Sequence, residues 1–182
     1  MFPPRIMPAE PPYAEPISAA FNRIMPPGFD PLKLFRTMAR SPRVLQRMFG
    51  GSLLDKGAIS LRERELMILR TCARCGSEYE WGVHVTFFAK QAGLGEEQVA
   101  ATAAGSVGDC WDAKDLLVLR LADELHDKAA VSDALWKDLE ETFTTEQLLE
   151  LIALAGYYRT ISYMTNACRV ELEPYAARFG RT

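Results

Sequence analysis

The chain has 182 residues, a formal net charge of −3 and a mean hydropathy of −0.08, enough for one domain with a sizeable core. Acidic and basic residues nearly balance and no basic stripe appears, so nucleic acid is not an expected partner. No run of about 18 apolar residues marks a membrane span, the start has no apolar signal-peptide core, and four cysteines without a secretion signal predict a reduced, cytoplasmic protein.

The opening MFPPRIMPAEPPYAEP holds six of the eleven prolines. Proline removes a backbone donor and blocks a helix interior, so residues 1–16 are expected to form an extended arm. That arm is either a disordered tail or a strap over a neighbouring subunit. Residues 17–182 are expected to form a single all-α domain. A short helix is predicted over 17–25, ended by Pro26-Pro27-Gly28. Asp30-Pro31 and Ser41-Pro42 each offer a capping side chain followed by proline at the first helical position. The first of these helices carries Leu32, Leu34, Phe35 and Met38, and the second closes at Gly50-Gly51.

The stretch SLRERELMILRTCARCGSEYEWGVHVTFFAKQAGL, residues 60–94, is the most informative. Ser60 and Glu63 form a capping-box pattern; Gly76-Ser77 breaks the helix, and Gly93 suits the left-handed position that ends the next one. At about 100° per residue, Leu61, Leu66, Ile68, Leu69, Cys72, Ala73 and Cys75 gather on one arc, and Glu63, Arg64, Arg70 and Arg74 on the other. Glu65 falls within the apolar arc. A carboxylate placed there costs several kcal/mol unless paired, hydrogen-bonded or protonated, so Glu65 is either a satisfied structural acid or a functional one.

The second helix, with Tyr79, Trp81, Val83, Val85, Phe87 and Phe88, is apolar almost all round and is expected to be central and buried. Glu80 and His84 are four residues apart and share one face of it, with Ser77 one turn earlier. Glu65, Glu80 and His84 therefore make a candidate acid-base set. Further helices are predicted over 96–104, over 113–128 after a loop at 105–112, after the Ser132 cap with Leu135, Trp136 and Leu139 buried, and from Thr145 to about residue 173. Gly156 inside the last of these hints at close helix approach. No strand alternation or internal repeat is found.

Each remaining candidate has a plain alternative. Cys72 and Cys75 form a CxxC that reads as a redox pair beside Arg70 and Arg74, as half of a zinc site without a second half, or as two small residues on a packed face. Their angular position favours the last. His126 reads as a flank residue, whereas His84, among apolar neighbours, needs a partner such as Glu80 or Glu65. A metal held by Glu65, Glu80 and His84 is disfavoured by the lack of a second histidine, so no metal is expected. Trp81, Phe87 and Phe88 are most simply core, with some of them lining a pocket as the alternative, and Tyr157, Tyr158 and Asn166 are polar groups able to face a shared pocket.

The residues LRERELMILRTCARCGSEYEWGVHVTFFAKQAGL, continued by DELH and by GYYRTISYMTNA, resemble the carboxymuconolactone decarboxylase family, which includes the alkylhydroperoxidase D-like proteins. The resemblance covers about residues 58–166. It implies an all-helical, alkylhydroperoxidase D-like bundle, a homo-oligomer (trimer, hexamer or dimer), a small-molecule substrate and no organic cofactor. The peroxidase branch carries C-x-x-C-x-x-x-H with an upstream glutamate in a proton relay. That histidine corresponds to His84 and the glutamate to Glu65, but the two cysteine positions hold Ser77 and Glu80, and Cys72 and Cys75 sit five residues too early. The decarboxylase branch carries a glutamate four residues before the histidine, as Glu80 and His84 do. The resemblance thus implies acid-base chemistry on a small carboxylate or lactone. His84 would be the proton donor, Glu80 its orienting partner, and Glu65 a proton shuttle or water holder. The alternatives are a thiol peroxidase using Cys72 and Cys75, and a non-catalytic oligomeric module.

Overall fold

A computed structural model describes residues 3–105 and 108–180. Its helices are α1 (Glu15–Ile24), α2 (Lys33–Met38), α3 (Pro42–Gly50), α4 (Leu61–Arg74), α5 (Glu78–His84), α6 (Glu96–Ala103), α7 (Ala113–Lys128), α8 (Asp133–Thr142) and α9 (Thr145–Cys168), with a π-helical turn, Val85–Ala89, continuing α5. The all-α expectation is met among the described residues. Within the loop expected over 105–112, positions 106 and 107 lie outside the described residues, as do 1 and 2 of the arm.

The hub of the bundle is α4, not the more apolar helix after it. Leu66, Met67, Ile68, Leu69 and Cys72 are fully buried, and α5, α6, α7 and α9 all pack against it. The capping box at its start is formed as expected, Ser60 accepting from Glu63 N–H and Glu63 from Ser60 N–H. Hydropathy understates this helix because its charges are paired inside the fold. Arg62, Arg70 and Arg74 bond Asp115, Asp123 and Asp127 of α7, each pair 53 residues apart, so the two helices run parallel. Arg70, placed by periodicity on the polar arc, is 1% exposed. It donates to the carbonyls of Thr102 and Ala104 and so caps the end of α6.

Several boundaries move for local reasons. Helix α1 begins at Glu15 because Pro16 fits the first helical turn. Helix α2 begins after Leu32 rather than Asp30, and its first donor is satisfied from afar: Lys33 N–H donates to Glu173 Oε1 at 2.6 Å. The same oxygen accepts from Tyr79 Oη at 2.7 Å, while Tyr79 Oη accepts from Leu34 N–H. Helix α9 ends at Cys168, five residues short of the expectation, because Arg169 adopts φ +52° and turns the chain back over α5. There Gly82 permits contact closer than any side chain would: a Cβ at 82 would lie 2.2 Å from the Ala177 carbonyl oxygen.

Two further expectations are corrected. Trp136 is 39% exposed, because α8 buries only the stripe of Leu135 and Leu139. Gly156 marks no close approach; nothing lies within 4 Å of a Cβ built there. Described residues of the proline arm bond the rest of the chain, Arg5 N–H to Cys168 O and Ala9 N–H to Arg36 O, with Glu10 paired with Arg36.

Candidate active site

Helix α4 points Glu65 inward, α5 points Glu80 and His84 toward it, and α9 closes the group with Tyr158. His84 Nδ1 lies 2.7 Å from Glu65 Oε2, and its Nε2 lies 3.0 Å from Tyr158 Oη and 3.6 Å from Glu80 Oε1. Glu65 is fully buried, and its other oxygen accepts from Arg64 Nε at 3.0 Å and pairs with a second Arg64 nitrogen at 2.9 Å. Arg64 is itself held by the Leu54 carbonyl at 2.8 Å and lies 5.5 Å from the Phe88 ring centroid. The buried carboxylate is therefore doubly paired, as its position in an apolar arc requires.

Electrostatics decide the state of the imidazole. Burial by itself would lower the pKa of His84, but the charge and hydrogen bond of Glu65, helped by Glu80, overrule it and push the value up to about 9. His84 is thus an imidazolium at neutral pH, its Nδ1–H donated to Glu65 and its Nε2–H to Tyr158 Oη. Burial, then the nearby Glu80 charge, drives the Tyr158 phenol well above its ordinary value, so it stays protonated and can pass a proton on.

The relay ends at a cavity of about 290 Å³ between the first helices and the α5–α9 pair. Phe35, Phe49, Leu54, Phe87, Phe88 and Ile161 make much of its wall, and Glu80, His84, Tyr157 and Tyr158 its polar side. Phe87 and Phe88 are half-buried cavity walls rather than core. The π-helical turn that carries them follows directly on His84, and such turns often mark functional sites.

The structure brings Glu65, Glu80 and His84 together, with Glu65 the nearer carboxylate to the imidazole and Glu80 Oε2 without a hydrogen-bond partner. Arg64 was missed, since it fell on the polar arc. Tyr158 was legible only as a polar residue of the last helix; its place among buried Leu151, Leu154, Ala155 and Ile161 is the signal that it faces inward. Tyr157 also faces the cavity, donating to Met48 O at 2.8 Å. Asn166 does not; it bonds Cys75 O. Ser77 is turned to Thr165 Oγ1 at 2.8 Å. Cys72 is fully buried and Cys75 half-buried, both are free thiols, and neither lines the cavity. Burial pushes both thiols up, away from the reactive thiolate. Among the described residues, no three His, Cys, Asp or Glu side chains are grouped as a metal ion would need.

Residues 40–124 match the model of the carboxymuconolactone decarboxylase family. The matched region holds α4, α5 and the three expected site residues. The family model starts earlier than the expected 58 and stops before α9, so Tyr158 lies outside it. No curated protein matches the chain in sequence. Solved structures extend the likeness over nearly the whole chain. An uncharacterized peroxidase-related protein from Silicibacter sp. TM1040 superposes with a TM-score of 0.81 at 14% identity, covering 100% of this chain and 96% of the other. An alkylhydroperoxidase AhpD core protein, peroxidase-related and uncharacterized, from Ralstonia eutropha JMP134 gives 0.80 at 17%, covering 96% and 95%. The debrominase Bmp8 in complex with 2,3,4-tribromopyrrole gives 0.73 at 16%, covering 93% and 92%. At these identities the likeness is one of fold. No helix among the described residues is long and apolar enough to cross a membrane.

Proposed function

We propose that this protein is a cofactor-free acid-base enzyme of lyase type acting on a small lactone or carboxylate, with His84 as proton donor. The observation that carries the reading is the Glu65–His84–Tyr158 relay ending on an apolar cavity. Loss of CO₂ from a carboxylate beside a conjugated carbonyl, or transfer of a proton from carbon there through the Tyr158 hydroxyl to the neutral form of His84, leaves an electron pair in a dienolate. The Nε2 proton of His84, passed through the Tyr158 hydroxyl, quenches it at carbon, and His84 is left neutral with Nδ1–H still on Glu65. Among the described residues no lysine or arginine lines the cavity, so a carboxylate bound there has the His84 imidazolium as its counter-charge.

A thiol peroxidase reading would need Cys72 and Cys75, whose burial and absence from the cavity lining oppose it. A purely structural network is opposed by the open space beside His84, where a filled core would be expected. The test is proton exchange at carbon: a panel of small unsaturated lactones in D₂O, followed by proton NMR with wild type and His84→Gln. Wild type is expected to exchange protons next to the carbonyl, and the variant to be slower by roughly 10²-fold or more. Equal rates in the two proteins would refute the assignment of His84.

A further inference from the structure

The relay at the inner end of the cavity is closed to solvent: Glu80, His84 and Tyr158 are 6, 3 and 2% exposed. A ring-sized molecule therefore reaches them only where a wall gives way. The walls supplied by α5 and α9 are held in place, because both helices pack on the central α4. The wall made by Ile24, Met25 and Pro26 is attached differently. It belongs to residues 11–31, the segment that carries α1. Both ends of that segment are fixed to α2. Before it, Ala9 N–H donates to Arg36 O at 3.0 Å and Arg36 Nε to Ala9 O at 2.9 Å, with Glu10 paired to Arg36. After it, Lys33 N–H is held by Glu173 Oε1 at 2.6 Å and Lys33 Nζ by Glu171 at 2.8 Å.

Between these anchors the hydrogen bonds close on the segment itself. Ser18 Oγ donates to Tyr13 O at 3.1 Å, Met25 N–H to Phe21 O and Phe29 N–H to Pro26 O. Among the described residues, no hydrogen bond or ion pair joins 11–31 to the rest of the chain. Apolar contact holds the segment instead. Ile17, Ala20, Phe21 and Ile24 form one stripe of α1 at helical spacing that packs on the core, and α1 lies against α3. Phe29 adds an edge-on contact with the cavity residue Phe87, the ring centroids 6.2 Å apart at 72°. Such contacts are non-directional, so the segment can lift without leaving buried donors or acceptors unpaired.

We propose that residues 11–31 form a lid, latched by Phe29 on Phe87, that lifts to admit substrate to the cavity and closes over it. The proposal rests on the reading of this cavity as the substrate site and names the way that site is reached. The anchors at Lys33 and Arg36 keep the open lid on the molecule, and closure keeps water from the relay.

The experiment uses the full chain carrying Ile161→Cys, a substitution at a buried residue of the cavity wall. Two rates are followed by peptide mass spectrometry: N-ethylmaleimide labelling of the thiol introduced at 161, and trypsin cleavage after Arg23, exposed on α1. Phe29→Ala removes the latch at a residue that is 53% exposed and outside the cavity lining, so the variant is expected to fold. One motion behind both events predicts that Phe29→Ala raises both rates together, by about fivefold. In urea below the unfolding transition, both rates should climb with roughly a tenth to a fifth of the equilibrium slope, because the lid is 21 of the 182 residues. An unchanged labelling rate in Phe29→Ala would mean that the cavity is reached without the lid. An unchanged cleavage rate would mean that Phe29 latches nothing, and a slope equal to the equilibrium one that only global unfolding opens the site. Each of these overturns the proposal. Neither rate involves turnover, so lid opening without carbon exchange would remove the lyase reading and keep this one; exchange without lid opening would do the reverse.

Discussion

The proton on His84 makes stability fall as pH rises. The folded pKa of about 9 lies above the ordinary 6.5, with Glu65 2.7 Å away and Glu80 3.6 Å away outweighing the effect of burial. A raised folded value gives a contribution fully present below about pH 6.5 and lost as pH climbs through about 9. At roughly 1.4 kcal/mol per pH unit, the span amounts to about 3 kcal/mol. With a urea dependence of about 2 kcal/mol/M, the unfolding midpoint would drop by about 1.5 M. The assay is urea unfolding followed by circular dichroism at pH 6, 7.5 and 9, for wild type and His84→Gln. The variant keeps every other titrating group, so the difference between the two isolates His84. His126, lowered by burial and then by Arg159 and Arg74, is present in both proteins and cancels in the comparison. A wild-type advantage that shrinks by about 3 kcal/mol from pH 6 to pH 9 is expected. An advantage independent of pH would refute the reasoning, because it would mean that the buried imidazole carries no proton to lose.

Two other perturbations probe the frame of the site. Glu173→Ala removes the acceptor shared by Lys33 N–H and Tyr79 Oη and should cost about 2 kcal/mol in urea unfolding; an unchanged midpoint would show that α2 is not held this way. With Ellman's reagent at pH 7.5, Cys72 should label only after unfolding, and wild type should consume no hydroperoxide with a dithiol reductant. Consumption abolished by Cys72→Ser and Cys75→Ser would restore the peroxidase reading.

Much of the local structure was legible. Ser60 with Glu63, Ser41 before Pro42, and Ser132 all cap helices where the pattern placed them, because a cap involves residues within one turn. Glu65 and His84 stood out for a related reason: a charge in an apolar arc needs a partner, and two such residues on successive helices can supply each other's. What failed were inferences about distant neighbours. Arg70 looked solvated because its partners, Asp123 and the carbonyls of Thr102 and Ala104, lie 53, 32 and 34 residues away. Leu32 replaced Asp30 at the start of α2 because Glu173, 140 residues from Lys33, supplies the missing acceptor.

The sequence by itself determined the helices, the caps at Ser41, Ser60 and Ser132 and the acid-base trio, since periodicity and capping act over a few residues of one chain segment. Tertiary structure alone decided which carboxylate holds the imidazole and that Tyr158, 74 residues beyond His84, completes the relay. It also decided that space remains beside the relay, walled by residues from Ile24 to Ile161. Cavities and charge balance are properties of packing between segments, and periodicity within one segment holds no record of them.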